Sequence, residues 1–308
     1  MSRLRLAGAA AILALVLASP AAAHVRLGGE SLVRVWRIHY VAHDGLSRRA
    51  YVVLPRWYGP FDDPPIPLVI SPHGRGVPAI DNVRLWGNLP ALGPFAVVNP
   101  EGQGRRLALY AWGDPGDVHD LADMPRIVER QLPWLHVDRR RVFAFGGSMG
   151  GQETLLLVAH YPEVLAGAAA FDAPTDMRAR YFAFRRLHRG RWLQERARAE
   201  IGGTPLTDPR GYELRSPDDW AHRIAFSGVP LQIWWSRRDR IVVDQAQESG
   251  ALYAAIKRLN RDAPVVELVG NWKHTAEMRA GTRLPVALRL FGLQIGRASC
   301  RERVSSVV

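Results

Sequence analysis

The sequence predicts an α/β fold: a doubly wound, mostly parallel sheet with helices on both faces and a lid-like helical insertion. Three observations carry this. Short, mostly apolar runs recur, among them "PLVI", "VFAF", "GAAAF" and "LQIWW". Helix-period stretches alternate with them, the pattern of a parallel sheet buried on both faces. Glycine-rich turns follow several of the runs directly, at the edge where ligands of such sheets bind.

Val33–Tyr40 and Arg49–Leu54 read as early strands around an Asp44-Gly45 turn. After a proline-dense loop, Pro67–Ser71 is a short buried strand that leaves through His73-Gly74-Arg75-Gly76. "PFAVVNPEGQG" repeats the scheme. Asp117–Leu132 has a helical period, with Leu121, Met124, Ile127 and Val128 on one face. Pro125 either kinks that helix or marks its start. "RVFAF" is a strand and "QETLLLVAHY" a helix that ends before Pro162. "LAGAAAF" is again strand. Residues 174–228 break the rhythm and form the expected insertion. "PLQIWW", Gln245–Leu259, "VVELV" and Leu284–Leu293 continue as strand, helix, strand, helix.

Both termini are set aside. Arg3 and Arg5, the apolar stretch Leu6–Leu17 and the Ala21-Ala22-Ala23 site make residues 1–23 an expected secretory signal peptide. The stretch is too short for a membrane span, so no stable span is expected after cleavage and the protein is expected to be exported. The string from Ile295 to Val304 resembles one frame of sequencing-adapter read-through, so 295–308 is expected to be non-native. The expected catalytic domain is 30–294. Cys300 is the sole cysteine and lies in that tail, so no disulfide, thiolate nucleophile or cysteine metal site is expected.

The formal charge is +12; without the leader's two Arg and the tail's three Arg and one Glu it is +8. Only Lys257 and Lys273 are lysines, so 39 of 41 basic residues are Arg. The densest run, Met177–Glu200, is read as a solvated helical face partly paired with Glu195 and Glu200, since no nucleic-acid-binding motif accompanies it. No nucleic-acid partner, metal or cofactor is expected: the chain has no H-E-x-x-H and no phosphate-cradling loop with its lysine.

Gly146-Gly147-Ser148-Met149-Gly150 fits G-x-S-x-G between a strand and a helix. There the serine sits on a strained turn that Gly146 and Gly150 keep clear, with its hydroxyl lifted above the sheet. Serine needs a base. Of ten histidines, His274 follows the last strand. The base needs an orienting acid. Asp239 follows the penultimate strand; Asp172 and Asp176 are its rivals. The order Ser148, Asp239, His274 is one of the known serine-nucleophile orders. An oxyanion hole is expected from the backbone N–H groups of Met149 and Arg75, supported by His73 and by Gly74, whose missing side chain permits close approach. Trp112 and Trp272 are candidate pocket walls.

Residues 49–293 resemble the α/β-hydrolase superfamily on this ordered set. "VDRRRVFAFGGSMGGQETLLLVAHYPEVLAGAAAFDAPTDM", with Asp239-Arg240-Ile241-Val242 and His274, resembles the catalytic domain of prolyl-oligopeptidase-type serine peptidases and related secreted esterases. The acid loop departs, with Ser236-Arg237-Arg238 where the family usually has Gly. The N-terminal propeller of the large members is not expected in 308 residues. The resemblance implies a serine hydrolase acting on a small ester, with a serine-type peptidase acting on short peptides as the alternative. Acyl transfer and non-catalytic binding are further alternatives. The oligomeric state is not legible.

Overall fold

The computed structural model describes residues 22–25, 31–293 and 295. Most of the expected leader, and the tail from 296, lie outside the described residues. Nine strands form one sheet: β1 (Ala23–Val25), β2 (Val33–Val41), β3 (Ser47–Pro55), β4 (Ile66–Ile70), β5 (Ala96–Pro100), β6 (Val137–Gly147), β7 (Gly167–Phe171), β8 (Leu231–Ser236) and β9 (Val265–Gly270). Their order is β1-β2-β3-β5-β4-β6-β7-β8-β9. The pairs from β5 to β9 are parallel. The pairs β1–β2, β2–β3 and β3–β5 are antiparallel.

Burial follows strand position. β4, β5, β7 and β8 are buried at every residue, as parallel strands covered on both faces must be. β2, nearer the edge, alternates. Val33 and Val35 face one core, Ile38 and Tyr40 the other.

The helices are α1 (Ala79–Trp86), α2 (Leu89–Leu92), α3 (Pro115–Gln131), α4 (Met149–His160), α5 (Met177–Ala183), α6 (Gly190–Ile201), α7 (Pro209–Glu213), α8 (Ala221–Phe226), α9 (Ser249–Leu259) and α10 (Leu284–Leu290). α3, α4, α8 and α9 cover one face, α1, α2 and α10 the other. The chain steps from β4 out to β5 and back past β4 to β6. The order therefore reverses at β4, and a crevice opens beyond its carboxyl end.

Three expectations need correction. The third helix begins at Pro115, not at Asp117 or Pro125. Asp114 caps it by accepting the Gly116 N–H at 3.0 Å, and Pro at the first position is pre-set for a helix. Pro125 is tolerated inside it. The ninth helix starts at Ser249 rather than Gln245, after a run of turns. The last stops at Leu290, and Gly292 follows at φ 74°.

The Arg-rich stretch is not simply a solvated face. α5 to α7 enclose a third core in which Tyr181, Phe184, Leu193 and Tyr212 pack with Trp112 and Met149. Glu200 is fully buried and accepts the backbone N–H groups of Arg105, Arg106 and Leu107 at 2.5, 2.9 and 2.8 Å. That carboxylate clamps the loop after β5 rather than pairing with neighbours on its own helix.

Candidate active site

Because β4, β6, β7, β8 and β9 run parallel, their exits share one edge. Ser148 follows β6 directly at φ 58° and ψ −125°, a conformation that costs a non-glycine residue energy. Its N–H donates to Phe171 O at 2.8 Å, and its carbonyl accepts from Gln152, the first bond of α4. The neighbouring glycines make the turn possible. A Cβ on Gly146 would lie 2.1 Å from Gly150 O, and one on Gly150 would lie 2.3 Å from Pro72 O. Only hydrogen fits at these two positions, and the second brings the β4 exit against the serine turn.

His274 Nδ1 lies 2.6 Å from Asp239 Oδ2. Asp239 is otherwise served by its own loop. Oδ1 accepts Ile241 N–H at 2.8 Å and Val242 N–H at 3.1 Å, and Gln245 Nε2 reaches Oδ2 at 3.4 Å. The carboxylate side chain is 1% exposed and the imidazole 16%, so the ring alone meets solvent. Ser148 and His274 line one cavity of about 280 Å³ with Gly74, Arg75, Ile241 and Met278.

Asp172, a rival acid in the sequence, has a different set of partners. Oδ1 accepts Ser236 N–H at 2.9 Å; Oδ2 accepts Trp272 Nε1 at 2.9 Å and Thr275 N–H at 2.7 Å. It ties the exit of β7 to the loops that carry Asp239 and His274. Burial pushes its carboxyl up to about 6, against the pull of its Thr275 hydrogen bond, and the Asp239 charge adds to the rise. The third acid, Asp176, caps α5 by accepting the Arg178 and Ala179 N–H groups. The ligand atoms of Asp172, Asp239 and His274 lie within 4.8 Å of one another. Both oxygens of Asp172 are spent on N–H donors and Asp239 Oδ2 on the imidazole, so the arrangement suits a hydrogen-bonded network better than a cation.

Ser236, where the family usually has Gly, adds a brace that the sequence did not reveal. Its hydroxyl donates to Trp272 O at 2.5 Å and accepts Arg238 N–H at 3.1 Å.

In the loop after β4, Gly76 N–H donates to Leu109 O and Val77 N–H to Gly74 O, whereas the Arg75 N–H has no acceptor among the described residues. Met149 opens α4, where first-turn N–H groups need no partner in the helix. His73 is buried and holds the loop in place. Gly102 N–H donates to its Nε2 at 3.1 Å, so Nδ1 carries the proton and donates to Gly74 O at 2.8 Å. Burial lowers its pKa and keeps the ring neutral. At Gly74 no protein neighbour demands a glycine: a Cβ would meet Val77 at an ordinary 3.7 Å. The space left there belongs to the cavity.

The two tryptophans separate. Trp112 does not line the Ser148 cavity. It is 3% exposed and packs against Tyr110 and Phe184, because the α5–α6 segment covers it. Trp272 lines an adjoining cavity of about 560 Å³ that shares Ile241 and His274 with the first.

Residues 95–278 match the profile of the prolyl oligopeptidase family. The acylamino-acid-releasing enzyme of Rattus norvegicus is 35% identical over 119 residues, which is 36% of this chain and 16% of that protein. The poly(3-hydroxyalkanoate) depolymerase C of Paucimonas lemoignei is 30% identical over 110 residues, 33% of this chain and 27% of that one. The chain thus spans well under half the length of either relative. A puromycin-hydrolyzing peptidase of Mycobacterium tuberculosis superposes with a TM-score of 0.65 at 22% identity, over 86% of this chain and 40% of that one. That likeness is one of fold, the α/β-hydrolase fold. With the family profile covering more than half of its 308 residues, the chain belongs to the prolyl oligopeptidase family of serine hydrolases.

Proposed function

We propose that Ser148 is the nucleophile, His274 its base and Asp239 the acid that orients the base, and that the chain hydrolyses a carboxylic ester through an acyl-enzyme. The observation that carries the reading is the 2.6 Å contact between His274 and Asp239 at the cavity lined by Ser148. Ser148 Oγ attacks the carbonyl carbon while the His274 ring takes its proton. Charge then collects on the carbonyl oxygen, and the N–H groups of Arg75 and Met149 stabilise it. Collapse breaks the bond to the leaving group, which leaves with the proton from His274. Water, deprotonated by the same ring, attacks the acyl-serine and releases the acid.

An amide substrate follows the same steps. The named activity of the rat relative, which releases acylamino acids, favours this second reading. Turnover of short acyl esters and matched peptide anilides separates the two: amide turnover equal to ester turnover makes the chain a peptidase. A serine-reactive phosphonate tests the shared chemistry. Wild type is expected to label stoichiometrically and Ser148→Ala not at all, with kcat down about 10⁶-fold; equal labelling of both sinks the assignment. The leader pattern in residues 1–23 supports export, and N-terminal sequencing of protein from the culture medium or periplasm checks it. Among the described residues no helix is long and apolar enough to cross a membrane.

A further inference from the structure

Arg180, on α5, is 4% exposed, yet among the described residues its guanidinium has no hydrogen-bond or ion-pair partner, and Nη1 is buried without one. The Phe184 ring lies against it, 5.0 Å from ring centroid to guanidinium carbon. The Arg75 guanidinium reaches the same ring at 5.7 Å. Arg75 also lines the Ser148 cavity and has no ion-pair partner of its own. Two like charges therefore share one aromatic ring, with Arg75 lining the Ser148 cavity and Arg180 buried behind it, although guanidinium groups are rarely buried unless paired.

Glu248 and Asp239 attract Arg180 through space, but neither hydrogen-bonds to it. Glu248 Oε2 is spent on the Thr175 and Asp176 N–H groups, at 2.6 and 3.0 Å, and Asp239 on His274 and its own loop. The other cation near Arg180, Arg186, pairs with Asp244 at 2.7 Å. Burial lowers the pKa of Arg180 to about 10 and Arg75 adds to the fall, so the group is still charged at neutral pH. The Ser148 cavity has one carboxylate wall, Asp81, which pairs with Arg84; the adjoining cavity is lined by Arg238, Arg240 and Lys273 with no carboxylate among its walls.

We propose that Arg180 and Arg75, held together by Phe184, form a subsite for a carboxylate on the substrate, so that this hydrolase prefers acyl groups or residues bearing a second, anionic carboxyl. This rests on Ser148 being the nucleophile. A carboxylate entering there supplies the acceptor that the buried fork lacks and relieves the repulsion between the two cations. The same chemistry comes from the monoester of a dicarboxylic acid or from an acidic amino acid.

Two substrate pairs test it: the p-nitrophenyl monoester of glutarate against its methyl-ester-capped analogue, and acetyl-Glu against acetyl-Gln p-nitroanilide. Wild type is expected to favour the anionic member of at least one pair by about 10-fold in kcat/KM, the scale of a charged hydrogen bond; the pair that responds identifies the source. A ratio at or below one in both pairs overturns the proposal. In Arg180→Met the ratio is expected to collapse towards one, and in Arg180→Lys to survive in part. An unchanged ratio in a fully phosphonate-labelled Arg180→Met protein overturns it as well. Calorimetry of glutarate against glutaramide on Ser148→Ala protein reads the subsite without turnover. Binding of glutarate alone is expected, and equal binding of both or of neither refutes the subsite. Failure of wild type to label with the phosphonate counts instead against Ser148 as nucleophile.

Discussion

Two groups of buried carboxyls, one at the strand ends and one where α3 meets α4, differ in how many donors surround them. At the strand ends, Asp239 and Asp172 are ringed by backbone N–H groups, an indole and an imidazole. Where α3 meets α4, Asp117 receives only the Gln103 N–H on Oδ1, and its Oδ2 has no partner. Glu153 Oε1 has none either. Burial, with Asp120 and Asp114 close by, pushes Asp117 up to about 7. Glu153 is pushed up as well, by burial first and by Asp117 next. Burial raises Asp172 and Asp117 alike, and the three N–H donors of Asp172 oppose that rise where Asp117 has one. A carboxylate that must support an imidazolium needs such donors.

The largest expected effect lies at the strand ends. Asp239→Asn keeps the shape and removes the charge, and kcat is expected to fall about 10⁴-fold with phosphonate labelling slowed in parallel. Asp117→Asn measured beside it should retain wild-type kcat. Equal losses in the two variants would erase the distinction drawn between the regions.

A smaller loss is expected for Asp172→Asn. The amide still accepts N–H bonds on one side but loses the second oxygen that holds Trp272 and Thr275. The His274 loop then shifts, and kcat is expected to fall about 10- to 100-fold. Because Asp172 ionises near 6 in the fold, the acid limb of the kcat profile is expected to change shape in this variant. An unaltered profile with unaltered kcat would leave Asp172 a purely structural brace.

The smallest effect is on stability, in the other region. The folded protein binds a proton on Asp117 up to about pH 7, while the unfolded chain releases it near the ordinary carboxyl value of 3.8. Its contribution to stability is therefore full below pH 4 and is lost as the pH rises through 7. Between pH 5 and 8 wild type is expected to lose stability as this carboxyl and its neighbour Glu153 are forced to ionise, and Asp117→Asn to show a shallower fall. Urea unfolding at both pH values reads the difference, and parallel curves for the two proteins would contradict it.

Much of this was legible in the chain. The strand–helix alternation, the short apolar runs and the glycines around Ser148 are local features, and each follows from burial on two faces or from a turn with no room for Cβ. The strand that precedes each loop was equally plain, which is why Asp239 and His274 stood out. The choice between Asp239 and Asp172 was not plain, since both leave adjacent strands. It depends on which carboxyl oxygen lies 2.6 Å from an imidazole 35 residues away in the chain.

Composition and spacing by themselves determined that the chain builds a parallel sheet with a serine turn at one edge, because strand burial and turn sterics act between near neighbours. Long-range packing decided the rest. Trp112 left the cavity because α5 and α6 fold over it, Glu200 went inward to clamp a distant loop, and Arg180 was stripped of water beside Arg75. An arginine in a basic helix looks solvated from its neighbours in sequence. Whether water reaches it is settled only by what the rest of the chain lays on top.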